Sequence, residues 1–138
     1  MGRVLVVDDD TGIRELLRVV LELEGFDVAT ARDGQEALDL LAASPEGVVV
    51  LMDVMMPRLG GLEVCERLAA RGLAGRHRVA LMTAGLLEEA ECPRAVRALL
   101  RKPFNLEEIA RVAHRLYADL VPLAPPPEVA SLPLRAAS

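Results

Sequence analysis

Asp8, Asp9, Asp53, Thr83 and Lys102 each stand at or just beyond the end of a short apolar run in this 138-residue chain. Brought together, these five side chains have a definite chemistry. Three crowded carboxylates repel one another, and one takes up a proton unless a cation neutralises them. All-oxygen ligation with few protein carboxylates suits Mg²⁺, which keeps several waters and shares its remaining positions with phosphate. A lysine ammonium adds a compact positive charge, and a threonine hydroxyl adds a hydrogen-bond donor. Such a set cradles a phosphoryl group, whose transfer depends on positioning and charge stabilisation. A carboxylate facing the phosphorus can then act as nucleophile and form an acyl phosphate.

Fifteen of the sixteen basic residues are Arg, so Lys102 is the only lysine, and Gln35 and Asn105 are the only side-chain amides. This bias fits GC-rich coding or a hot habitat, where thermolabile amides are depleted. In either case the lone lysine is informative: it is kept where a point charge, rather than a planar fork, is needed.

Convergence of the five requires the apolar runs to be neighbouring strands. Residues 3–7 are β-branched and apolar without alternation, as in a strand buried on both faces. Similar runs occur at 26–30, 48–52, 79–82 and 95–100, the last the weakest. Between them lie helical patterns. Ile13, Leu16, Leu17, Val20 and Leu21 form one apolar face ended by Gly25. Asp33 with Glu36 fits a capping box opening a helix that buries Ala37, Leu38 and Leu41. Leu62, Cys65, Leu68 and Ala69 stripe a third helix, and a short acidic stretch at 86–91 is cut by Pro93. Asn105 and Glu108 open a last helix burying Ile109, Val112, Ala113 and Leu116. Alternation of this kind predicts an α/β domain with a parallel sheet covered on both faces. In such sheets ligands bind beyond the carboxyl ends of the strands, where these polar residues fall.

Composition narrows the function. The net charge is -5 with no basic run, which argues against a nucleic-acid footprint. The longest apolar stretches are too short to span a bilayer, and acids follow the first one, so neither membrane insertion nor a secretory signal is expected. Two cysteines lack metal-like spacing, and Cys65 is expected in the core. A reducing, cytoplasmic setting follows. His77 and His114 are expected at the surface. Five of the nine prolines lie in the last seventeen residues, which predicts a domain over 1–120 and a disordered or extended tail over 121–138.

Four motifs together resemble the receiver domain of bacterial two-component response regulators: Val7-Asp8-Asp9, Asp53-Val-Met-Met-Pro57 followed by Gly61, Thr83-Ala84, and Lys102-Pro103-Phe104. The spacings fit as well, with 44 residues from Asp9 to Asp53 and 30 from Asp53 to Thr83. The resemblance implies a doubly wound (βα)5 fold with flavodoxin-like strand order 2-1-3-4-5. It implies Asp53 as phosphoacceptor from a sensor histidine kinase or histidine phosphotransfer protein. It also implies Mg²⁺ held by Asp8, Asp9, Asp53 and the backbone carbonyl of Met55. Thr83 and Lys102 would contact phosphoryl oxygens, and the Lys102-Pro103 bond would be cis. Phosphorylation in such proteins draws the threonine inward and repacks the surface around strand five and its flanking helices. A stand-alone, chemotaxis-regulator-like receiver, monomeric or weakly dimeric, signalling to a downstream protein target, is the resulting expectation.

Three departures from that pattern carry expectations of their own. Only 19 residues run from Thr83 to Lys102, which shortens the fourth helix. Leu99 stands at the usual aromatic switch position, so the output face is unusual. Met55 and Gly85, where receivers tune dephosphorylation, offer no side chain to orient a hydrolytic water, which predicts a persistent phosphoryl group. Two other readings compete. Asp8-Asp9-Asp10-Thr11-Gly12 resembles the Asp-x-Asp motif of haloacid-dehalogenase-type phosphatases, with Asp8 and Asp10 catalytic, but Glu107 and Glu108 open a helix and Asp53 is left without a role. A receiver-shaped scaffold that works without phosphorylation is the other. Asp10 and Thr11 are expected to cap a helix.

Overall fold

The computed structural model describes residues 2–85, 87, 91–93 and 95–120. Strand β1 (Arg3–Val7) leads to α1 (Thr11–Leu23), β2 (Asp27–Ala31), α2 (Gly34–Ala43), β3 (Val49–Asp53), α3 (Gly61–Ala70), β4 (Arg78–Thr83), β5 (Val96–Arg101) and α4 (Leu106–Leu120). The strands form one sheet in the order β2-β1-β3-β4-β5, and every neighbouring pair is parallel. The expected α/β sheet and its order are therefore present, with four helices among the described residues. The short helix expected at 86–91 and the tail at 121–138 fall largely or wholly outside them.

Alternation along each central strand splits the core in two. Leu5, Val7, Val50, Met52, Val79 and Leu81 pack with α2 and α3. Val4, Val6, Val49, Leu51, Ala80 and Met82 pack with α1 and α4. Apolar residues on both faces explain why β1, β3 and β4 carry unbroken apolar runs. Cys65 is fully buried in the first of these clusters, where burial pushes its thiol up to about 12, so it behaves as a small apolar side chain.

Helix ends follow local chemistry. Asp10 Oδ1 accepts from Ile13 N at 3.0 Å, Asp33 Oδ1 from Glu36 N at 2.8 Å, and Asn105 Oδ1 from Glu108 N at 2.7 Å. In α2 the return bond is made one residue before the cap, where Arg32 N donates to Glu36 Oε1 at 2.8 Å. At the end of α1, Gly25 has φ 100°, and Phe26 N reaches back to Leu21 O. That bond keeps Phe26 in the helix cap, so β2 begins one residue later than its apolar pattern suggests.

His77 corrects an expectation. It is 1% exposed, not a surface residue. Its Nδ1 accepts from Val48 N at 3.1 Å and its Nε2 lies 3.1 Å from Leu41 O, linking the end of α2 to the entry of β3. Both ring nitrogens are satisfied by backbone, which makes its burial tolerable. His114 is half-exposed as expected, with Nε2 2.8 Å from Glu24 Oε1.

Candidate functional site

The carboxyl ends of β1, β3, β4 and β5 meet at one edge of the sheet. Asp8 extends the β1–β2 ladder by one bond, its N–H donating to Ala31 O at 3.2 Å. Its carbonyl accepts from Arg14 at 2.7 Å, and its Oδ1 accepts from Asp10 N at 2.9 Å. Its Oδ2 is buried with no hydrogen-bond partner. Burial is the main force raising the Asp8 carboxyl above its ordinary range; the Asp10 N–H and Lys102 act against it, and Asp53 and Asp9 add to it.

Asp53 ends β3 and is 7% exposed. Lys102 Nζ lies 3.4 Å from Asp53 Oδ2 and 3.7 Å from Asp8 Oδ2. Carboxylate oxygens of Asp8, Asp9 and Asp53 lie within 4.8 Å of one another. One ammonium faces three acids there, one of them with an orphaned oxygen. That donor set fits a divalent cation bound by oxygen.

Thr83 is buried at the end of β4, one residue past Met82, which pairs with Asp53. Its carbonyl accepts from Lys102 N at 2.7 Å and its Oγ1 from Gly85 N at 3.0 Å. The backbone of β4 thus anchors the residue that carries the ammonium. The Lys102-Pro103 bond is cis.

The loop after Asp53 is held tightly. Gly61 N donates to Val54 O at 3.0 Å, and a Cβ on Gly61 would come 2.6 Å from Asp53 O. A Cβ on Gly34 would come 2.0 Å from Leu59 O, so the loop rests directly on the start of α2. Arg58, at φ 73°, places a guanidinium nitrogen 3.6 Å from Asp33 Oδ2. Met55 in this loop is 77% exposed.

Of the other expected positions, Leu99 is half-buried against the α2/α3 core, and Gly85 contributes its N–H to Thr83. Asp10 spends its carboxylate on the α1 cap, and Glu107 and Glu108 sit in the first turn of α4, an arrangement unlike the phosphatase reading. Arg101, at the end of β5, donates from its guanidinium to Leu87 O at 3.0 Å.

The family model described as the response regulator receiver domain matches residues 4–114. The chain belongs to that family. The receiver is 47% identical over 114 residues to response regulator MprA of Mycolicibacterium vanbaalenii, covering 78% of this chain and 46% of that protein. MprA of Mycobacterium avium is 46% identical, with 78% and 47% covered. The receiver therefore spans about half the length of these curated relatives. Among solved structures, response regulator TrrA of Thermotoga maritima, in complex with Mg²⁺-BeF, is 32% identical with a TM-score of 0.71, covering 84% of this chain and 99% of that one. A CheY-like receiver domain protein from Methanospirillum hungatei is 27% identical with a TM-score of 0.76, covering 86% and 96%. As a response regulator receiver domain, the chain is a module of two-component signalling. Among the described residues no helix is long and apolar enough to cross a membrane.

Proposed function

We propose that Asp53 is the phosphoacceptor, taking its phosphoryl group from a phosphohistidine on a sensor histidine kinase or histidine phosphotransfer protein. An Asp53 carboxylate oxygen forms the new O–P bond as the N–P bond breaks, and the imidazole leaves with that electron pair. Asp8, Asp9, Asp53 and the Met55 carbonyl would hold Mg²⁺, which when bound offsets the charge of the carboxylates and the phosphoryl oxygens. Lys102, with its Nζ 3.4 Å from Asp53 Oδ2, stabilises negative charge on the transferred group. The Thr83 hydroxyl, which accepts from Gly85 N, keeps its own proton to donate to a second phosphoryl oxygen. The output is a protein contact with a downstream target.

The observation that carries this reading is the Lys102 ammonium beside Asp53, next to the orphaned Asp8 oxygen. The test is incubation with a labelled phosphohistidine donor and Mg²⁺. Stoichiometric label that disappears in Asp53→Asn supports the reading. Turnover of the donor that survives Asp53→Asn and is abolished by Asp8→Asn supports a phosphatase instead. Met55 and Gly85 provide no polar side chain to align water, so the phosphoryl group is long-lived; a lifetime of seconds would count against that part.

A further inference from the structure

The three acids of the site are held unequally. Asp8 is buried, and its Oδ1 accepts from Asp10 N at 2.9 Å. Asp53 is buried as well, with Lys102 Nζ 3.4 Å from its Oδ2. Asp9 is exposed, and its carboxylate makes no hydrogen bond among the described residues. Its place is therefore set by the main chain, through the peptide that joins it to Asp8.

That peptide lies just beyond β1, which ends at Val7. The Asp8 N–H still donates to a neighbouring strand, at Ala31 O. The Asp8 carbonyl is taken by a side chain instead. Arg14, the fourth residue of α1, donates to Asp8 O from one guanidinium nitrogen at 2.7 Å. Its other terminal nitrogen donates to Thr11 Oγ1 at 3.3 Å, and its backbone N–H to Asp10 O at 3.0 Å. The guanidinium is half-buried and spends these donors on uncharged oxygens. A bond from a charged donor is among the stronger hydrogen bonds, and the planar fork fixes the direction of the carbonyl it holds. Groups of this kind, one step behind the ligands of a metal, orient those ligands; losing one typically weakens metal binding by about 10- to 100-fold.

We infer that Arg14 is a positioning residue for the divalent-cation site: by fixing the peptide between Asp8 and Asp9, it aims the exposed Asp9 carboxylate at the space it shares with Asp8 and Asp53. Carboxylate oxygens of the three lie within 4.8 Å of one another, so a small turn of that peptide is enough to spoil the set. The inference rests on the Mg²⁺ reading of these acids and adds to it a residue that touches none of their carboxylates. Charge alone would act in the opposite sense. A guanidinium beside the acids repels an incoming cation, so deleting it would tighten Mg²⁺ binding. Positioning and electrostatics therefore predict opposite signs for one substitution.

The test is calorimetric titration of Mg²⁺ into the intact, metal-free 138-residue chain, well below its melting temperature. Arg14→Met keeps an aliphatic stem and removes the donors, and should weaken Mg²⁺ binding by about tenfold or more. Circular dichroism checks that the variant folds; should it not, Arg14→Gln, too short to reach Asp8 O in the same way, repeats the measurement with the same expectation. Melts in EDTA separate positioning from bulk stability. A purely structural brace would lower the melting temperature and leave the Mg²⁺ affinity of the folded chain unchanged. Unchanged or tighter Mg²⁺ binding in the folded variant would overturn the inference while the wild type still binds. Absence of Mg²⁺ binding in the wild type would overturn the metal reading itself, and the role of Arg14 with it.

Discussion

Lys102 Nζ sits 3.4 Å from Asp53 Oδ2, joining side chains 49 residues apart across the sheet edge. The link is held from behind, because Lys102 N donates to Thr83 O at 2.7 Å. Position and charge therefore come from different atoms of one residue: the backbone fixes the place and the ammonium supplies the field.

Removing that ammonium should slow phosphoryl uptake while leaving the fold intact. Lys102→Ala is expected to lower the rate of labelling at Asp53 by roughly a hundredfold, as for loss of one charge-stabilising donor in an active site. Lys102→Arg should recover only part of it, because a planar fork does not replace a point donor. Labelling of Lys102→Ala at near wild-type rate would contradict the role.

Asp8 Oδ2 is buried without a hydrogen bond, and the Lys102 ammonium 3.7 Å away only partly offsets its burial, so the ionised form costs stability. Its carboxyl is raised above the ordinary 3.8, so the fold is penalised as pH climbs past that value and Asp8 ionises. In a chelator, Asp8→Asn should raise the melting temperature, by about 4 °C if the gain is about 1 kcal/mol. Mg²⁺ should stabilise the wild type and not the variant. Thermal melts with EDTA and with Mg²⁺ provide the check.

His77 predicts an acid-side loss of stability. Burial lowers its pKa below the ordinary 6.5, against the opposing bond to Leu41 O and with help from the charges of Arg76 and Arg78. The unfolded chain therefore takes up the proton first as pH falls. Its contribution is complete above pH 6.5 and is lost on acidification toward the lower folded value, at up to about 1.4 kcal/mol per pH unit. His77→Phe should flatten urea midpoints in that window. At neutral pH it should cost about 2 kcal/mol, since Val48 N and Leu41 O lose their partner.

Much of this architecture is legible in the chain. Unbroken apolar runs ending in acids mark β1 and β3, because strands covered on both faces have no polar side to display. The caps at Asp33 and Asn105 are legible because capping acts within three residues. His77 was illegible for the opposite reason. Its neighbours Arg76 and Arg78 suggest a solvated patch, and its partners lie 29 and 36 residues away. Contacts of that range, like Gly34 against Leu59 O, have no local signature. The order of residues along the chain pointed to Asp8, Asp9, Asp53 and Lys102, but the orphaned oxygen on Asp8 is a fact of packing alone.

Arg58 offers a backbone test. Its φ of 73° lies in the left-handed region, which costs a non-glycine residue about 1 kcal/mol. The ion pair to Asp33 is 3.6 Å long and Arg58 is 69% exposed, so it returns little. Arg58→Gly should leave stability unchanged or raise it slightly despite glycine's entropy, whereas Arg58→Val should lower it by more than about 1 kcal/mol. Denaturant midpoints of the two variants decide the point.

With Lys102 as the only lysine, every amine-directed reagent has one side-chain target in this chain. That target is partly accessible, at 23% exposure, and its nitrogen faces Asp53. Acetylation, succinylation or attachment to an ester-activated biosensor chip would erase the positive charge at the pocket while leaving fold and mass nearly intact. Tethering through a fused tag avoids this. Under the role proposed for Lys102, amine acylation should block phosphoryl uptake without altering the gene.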